Sequence, residues 1–188
     1  MRKIGKTKLN LGCGSDIRPD YINLDIIKNA GVDVVHDLEK FPYPFEDNTF
    51  TEILCNHILE HMNNLNKTID ELWRITKKDG IIKIWAPYAL GPIFFGDPSH
   101  KTPICYRTFE NYNIDNPNIK FYLTNFNSPA RFKILKRKII FSEHAKIKGV
   151  RILKFMDYVI NLFPRIYERF FCYILPSEMI YIELKVIK

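Results

Sequence analysis

The sequence predicts an α/β fold: a doubly wound, mainly parallel sheet with an antiparallel strand at its C-terminal edge. Three observations predict it. Short apolar runs alternate with turns and one amphipathic helix through the first half of the chain. The run Lys8-Leu9-Asn10-Leu11 ends in the glycine turn Gly12-Cys13-Gly14, and the next run, Tyr21-Ile22-Asn23-Leu24, ends in Asp25. Two late strand-like stretches, 131–141 and 178–186, are separated by an insertion, which suits an antiparallel pair.

In order, Lys8–Leu11 is strand one, Tyr21–Leu24 strand two and Val32–His36 strand three. A proline-rich loop, Phe41 to Asn48, leads into strand four, Phe50–Cys55. Asn63-Asn64 offers an N-cap for a helix running to about Lys78, with Leu65, Ile69, Leu72 and Ile75 on one face. Lys77-Lys78-Asp79-Gly80 has the cations and the glycine of a helix exit. Ile81–Trp85 is strand five. Ala86 to about Pro129 reads as loop and short helix, rich in proline and aromatics. Arg131–Phe141 is a long strand, and Ile152, Phe155, Met156, Val159, Ile160 and Phe163 form a helical apolar stripe that Pro164 interrupts. Glu178–Val186 is the last strand.

The 188 residues suit one domain, with a lid or acceptor region at about 87–130 and a basic helical insertion at about 146–176. The N-terminus is basic but lacks the apolar core of a signal peptide, and no apolar run reaches the ~20 residues of a membrane span. Cys13, Cys55, Cys105 and Cys172 lie far apart, which favours reduced thiols and a cytoplasmic protein. The net charge of +7 arises in the second half, where 17 Lys/Arg face 8 Asp/Glu. Such a surplus is a solvated face, or it meets an anionic substrate, a nucleic acid or a membrane surface.

A glycine turn followed by an acid at the next strand tip suggests a site for an adenosine-containing cofactor: the backbone comes close and the acid holds ribose hydroxyls. The connection from Gly14 to Tyr21 holds only six residues, too few for the helix of a dinucleotide site. Ile17 stands where the third glycine of G-x-G-x-x-G belongs, and Asp25 follows Gly14 by 11 residues instead of ~20. No G-x-x-x-x-G-K-[ST] is present. A cofactor without phosphate fits better, and S-adenosylmethionine is one.

Asn10–Gly14, Asn23–Asp25 and Asp33–Leu38 together resemble the class I S-adenosylmethionine-dependent methyltransferases of the small single-domain type. Phe45–Ile53 resembles their segment leading into strand four, Asn56–His61 their S-H-x-L-E-H, and Leu72–Gly80 their E-x-x-R-V-L-K-P-G-G. The resemblance runs in order from residue 7 to about 88. It implies a Rossmann-like fold and S-adenosylmethionine as cofactor. It implies that Gly12, Cys13 and Gly14 lie against the methionine moiety, that Asp25 holds the ribose hydroxyls, and that Leu11 and Ile26 belong to the same cofactor site. It also implies that Asp37 and Leu38 lie at the adenine, and that Asn56 and His57 border the sulfonium and the acceptor pocket.

His57-Ile58-Leu59-Glu60-His61 also spells H-x-x-E-H, an inverted zinc-protease pattern. Its position directly after a parallel strand outweighs that reading. Glu60 and His61 are expected to bond to backbone or to each other, and no metal is expected. Gly96-Asp97-Pro98-Ser99-His100-Lys101 resembles D-P-x-H segments of the same methyltransferases, so His57 and His100 are the candidate bases for a hydroxyl acceptor. No [DN]-P-P-[YF] and no Pro-Cys follows strand four, which disfavours nucleic-acid amine and cytosine-C5 chemistry. The expected acceptor is a small molecule or a glycan or lipid-linked saccharide, methylated at oxygen. An RNA acceptor, or a non-catalytic protein that only binds the cofactor, is the alternative. The segment Arg151–Tyr173 mixes arginines with phenylalanines and would suit peripheral contact with an anionic membrane.

Overall fold

The computed structural model describes residues 5–117, 128–141 and 151–188, with no side-chain detail at 151–153. Among these residues seven strands form one sheet: β1 (Lys8–Leu11), β2 (Ile22–Asp25), β3 (Val34–Val35), β4 (Phe50–Asn56), β5 (Thr76–Pro87), β6 (Phe132–Ile140) and β7 (Met179–Val186). Their spatial order is β3-β2-β1-β4-β5-β7-β6. The first five pair in parallel, and β7 pairs antiparallel with both β5 and β6. The antiparallel pair expected at the C-terminal side is therefore present. Within it β7 lies inside, and the earlier β6 takes the edge.

Burial follows the pleat. Leu9, Leu11, Leu24, Ile53, Ile82, Ile84, Ile182 and Leu184 are all fully buried. The main helix, α1 (Leu65–Ile75), starts where Asn64 accepts the Lys67 amide at 3.0 Å. It buries Thr68, Ile69, Leu72 and Ile75. Among the described residues, β4 to β5 is the one parallel connection that runs through a full helical segment. The others are loops.

Three expectations change. Strand three shrinks to Val34–Val35, because Val32 closes a turn onto Asn29 (N–H to O, 3.1 Å) and leaves the ladder. The helix ends at Ile75, not Lys78: the Thr76 hydroxyl donates to Leu72 O at 2.6 Å, and Thr76 itself is extended. Thr76 pairs with Phe50, and the next pair is Glu52 with Ile81, so Lys77–Gly80 bulge from the start of β5. Asp79 there has φ of 63° and pairs with Lys185 at 2.7 Å.

The late helix α3 (Arg151–Leu162) follows the five-residue α2 (Pro92–Gly96) in chain order. Its apolar stripe turns inward only in part. Ile160 is buried and Met156 half-buried, but Phe155 and Phe163 are each 61% exposed. Ile160 and Met156 pack on the core, and polar residues complete the docking. Asn161 accepts the Ile139 amide at 2.9 Å and donates to Ile139 O at 2.6 Å, and Asp157 accepts the Phe141 amide at 2.6 Å. These bonds satisfy both backbone groups of Ile139 and the amide of Phe141 at the C-terminal end of the edge strand β6, an edge that would otherwise invite another strand. Parts of the expected lid (118–127) and of the expected insertion (146–150) lie outside the described residues.

Candidate active site

The strand order reverses between β1 and β4, which opens a crevice at their carboxyl ends. The glycine turn follows β1 and Asn56-His57 ends and follows β4, so sequence-distant motifs meet there. Gly12 and Gly14 have φ of +62° and +49°, a region glycine enters freely. A Cβ on Gly12 would lie 2.4 Å from Ile58 Cδ1, so Ile58 packs directly on the turn. A Cβ on Gly14 would meet nothing within 4 Å, which leaves an open, exposed backbone face.

Asp25 ties this turn to the tip of β2. Its Oδ2 accepts the Gly14 amide at 2.8 Å, and Oδ1 accepts the Ile27 amide at 2.9 Å. Both oxygens are fixed, and each keeps lone pairs for a ligand's hydroxyls. The turn has no helix behind it. A polar brace replaces one: Asn10, 1% exposed, donates to Asp16 O at 2.7 Å, and Asn23 Oδ1 accepts the Arg18 amide at 3.0 Å. Asp33 in turn accepts the Asn23 amide at 3.0 Å. Sequence reading missed this brace; its signal was an asparagine at the middle of each of two buried strands.

Among the other expected cofactor residues, Leu11 is fully buried and Cys13 is 4% exposed, so both present backbone to the crevice. Burial, and then the Asp25 carboxylate, push the Cys13 thiol up, keeping it protonated. Ile26 is 60% exposed beside Asp25. Asp37 accepts the Glu39 amide at 3.1 Å, one strand further along the same edge. Leu38 lies in the hydrophobic core, with its carbonyl accepting the Tyr43 hydroxyl at 3.1 Å.

His57 has φ of 52°, and its amide donates to Trp85 O at 3.0 Å. This left-handed turn carries the chain off β4. His57 Nδ1 lies 3.5 Å from Glu60 Oε1, and Glu60 is fully buried. From the other side, the loop after α2 clamps onto the same residue: the amides of Lys101 and Thr102 both donate to Glu60 O, at 2.8 and 2.9 Å. His100 is thereby brought beside His61, with ring centroids 4.9 Å apart. The two expected catalytic histidines, 43 positions apart in the chain, flank one buried carboxylate. Asp97 is held below the usual carboxylate range by hydrogen bonds from the Ser99 hydroxyl and amide.

The site's residues fit S-adenosylmethionine. The bare Gly14 face has room for a methionine chain, and Asp25 has acceptors at a strand tip for two hydroxyls.

Residues 9–84 match the family model described as a methyltransferase domain. No curated protein matches the chain. Among solved structures, a SAM-dependent methyltransferase from Archaeoglobus fulgidus aligns at 17% identity, over 95% of this chain and 85% of that one, with a TM-score of 0.57. An S-adenosylmethionine-dependent methyltransferase from Mesorhizobium loti aligns at 11% identity, over 97% and 93%, with a TM-score of 0.55. The [4+2]-cyclase SpnF aligns at 16% identity, over 96% and 75%, with a TM-score of 0.53. At these identities the structural likeness establishes the fold, and the residue-level match rests on the domain at 9–84.

Proposed function

We infer that this chain, a class I S-adenosylmethionine-dependent methyltransferase by its domain at 9–84 and its sheet, methylates an oxygen of a saccharide presented at a membrane surface. One observation carries the acceptor reading. Helix α3 docks through Asp157 and Asn161 and leaves its aromatic face outward. Phe155, Tyr158, Phe163, Phe170, Tyr173 and Ile174 are each 59–75% exposed. Met156, Val159, Phe163, Ile166, Phe171 and Leu175 line one open apolar groove in the same segment, and exposed apolar surface of this kind marks an interaction site. Exposed Lys154, Arg165 and Arg169 share the segment, the composition of an interfacial anchor on anionic lipid.

The same segment reaches the end of the sheet where the crevice lies. Glu168 accepts the Tyr106 amide at 2.8 Å and the hydroxyl of Tyr88, the residue after β5. A lipid-anchored acceptor would therefore arrive near the carboxyl ends of the parallel strands. The basic stretch of β6 supports RNA less well. Arg137 is engaged by Glu110 at 2.6 Å, and burial with that pairing leaves it 14% exposed.

When bound, the cofactor supplies a methyl group already activated on a sulfonium. The chain's part is to align the acceptor and exclude water. The base we assign for the acceptor hydroxyl's proton is His57, whose side chain is 42% exposed with Nδ1 3.5 Å from Glu60 Oε1. The test is turnover of labelled cofactor with saccharides, lipid-linked saccharides and RNA, alongside vesicle flotation. Phe155, Phe163, Tyr173 and Ile174 changed to Ser should abolish flotation on anionic vesicles. Cofactor binding should persist. With the acceptor found, His57→Asn, which tolerates the left-handed backbone, should lower kcat roughly 100-fold or more. Turnover on RNA alone, or flotation unchanged by the four substitutions, would defeat the acceptor reading.

A further inference from the structure

We propose that Glu60, His61 and His100 form a binding site for a divalent transition-metal ion. This site differs from the H-x-x-E-H reading, because His100 from a distant loop replaces His57 as the second nitrogen ligand. One potential ligand atom from each of the three lies within 4.8 Å of the other two.

The carboxylate is the strongest sign. Glu60 has no exposed surface, and among the described residues neither of its carboxylate oxygens has a hydrogen-bond partner. Burying an ionised carboxylate costs a great deal unless a cation or donors compensate. His57 Nδ1 lies 3.5 Å from Oε1, and the His57 side chain is itself 42% exposed.

The two histidines are oriented as metal ligands are. His100 Nδ1 lies 2.9 Å from Phe94 O, and His61 Nδ1 lies 3.3 Å from Ser99 O and 3.1 Å from Ser99 Oγ. A carbonyl can only accept, so each Nδ1 carries a proton, and Nε2 is the nitrogen each neutral ring would offer to a metal. A backbone carbonyl fixing the far nitrogen is the usual outer support of a ligating imidazole. Phe94 stacks on His100 at 5.4 Å, and the His100 side chain is only 6% exposed, so its ring is held in place. Asp97 Oδ2, 3.8 Å from His100 Nε2, adds negative charge at the mouth.

Two imidazoles and one carboxylate suit zinc, manganese or iron(II). Calcium and magnesium prefer all-oxygen sites. Three protein ligands leave coordination positions open for water or an acceptor oxygen.

The test uses the full chain, stripped with chelator and titrated with Co²⁺ as a spectroscopic probe, then with Zn²⁺ by calorimetry. One equivalent should bind, and Zn²⁺ should displace Co²⁺. The double variant His61→Ala/His100→Ala should lose binding, and Glu60→Gln should weaken it roughly 10-fold or more. His36→Ala, whose ring nitrogen faces Lys40 O, should bind as the native chain does. Cofactor titration of each variant reports folding independently. Wild type that takes up no metal, or a double variant that binds it as tightly, overturns the site. Methyl transfer and the acceptor are read in separate assays, so either conclusion can fail alone.

Discussion

Asp25 Oδ2 accepts the amide of Gly14 at 2.8 Å, so the acid at the tip of β2 holds the glycine turn of β1 in shape before any ligand arrives. The same carboxylate serves the backbone and the expected ribose. Its loss would loosen the turn and remove the expected ribose contact together. Asp25→Ala should weaken S-adenosylmethionine binding by about 1.5–3 kcal/mol, ten- to a hundredfold, as expected for hydrogen bonds to a charged group. Calorimetry measures this. Undiminished affinity would remove Asp25 from the site.

Gly12 carries two constraints at once: φ of +62° and Ile58 Cδ1 where a Cβ would sit, at 2.4 Å. Gly12→Ala should destabilise the fold by at least about 1–2 kcal/mol from the left-handed backbone alone. The clash adds to that and displaces Ile58. Adding Ile58→Ala should recover the clash and not the backbone cost. Denaturant unfolding of the single and double variants separates the two.

Glu71 predicts an acid sensitivity. Burial alone raises its pKa, but hydrogen bonds from Arg74 and the Tyr43 amide, with the Arg74 charge, outweigh it and hold the carboxyl below its ordinary value. Arg74 Nη2 lies 2.8 Å from Glu71 Oε2, and Arg74 also donates to the carbonyls of Phe45 and Tyr43. The latch fastens the loop before β4 to α1. A folded-state pKa below the unfolded value means full stabilisation above the unfolded carboxylate range, lost as pH falls through the folded value. Glu71→Gln should cost about 2 kcal/mol at neutral pH. The gap from wild type should narrow as pH drops below about 4. Thermal unfolding against pH checks it; a gap that widens on acidification contradicts the latch.

Asn161 satisfies both backbone groups of Ile139 on the edge strand. Asn161→Ala leaves a donor and an acceptor of β6 unpaired, at a cost of about 1–3 kcal/mol. The Ile139 amide should exchange faster with solvent, and the exposed edge should promote self-association. Hydrogen exchange at that amide and light scattering read the two effects. Protection at Ile139 equal to wild type would show that the helix docks by other means.

Much of the fold was legible because local chemistry repeats at local spacing. The alternation in β1, β4, β5 and β7 names their buried faces, and Leu65, Ile69, Leu72 and Ile75 name the helix face. Boundaries were harder. Lys77–Gly80 has the cations and glycine of a helix exit, yet Thr76 already turns its hydroxyl onto Leu72 O, and pairing with Phe50 draws it into the sheet. The stripe on α3 has the period of a core face. Its direction depends on Asp157 and Asn161 finding the open edge of β6, a partner that periodicity cannot reveal.

By itself the sequence determined the parallel core, the glycine turn with its acid, and the likeness to a methyltransferase domain. Each is written within a few consecutive residues, where spacing dictates which side chains share a face. Only the tertiary structure decided that His57 and His100 meet around a buried Glu60. It alone decided that β7 inserts between β5 and β6, and that the late helix turns its aromatic face outward. Those outcomes depend on which distant surfaces satisfy one another's hydrogen bonds and charges, and that pairing exists only once the chain has folded.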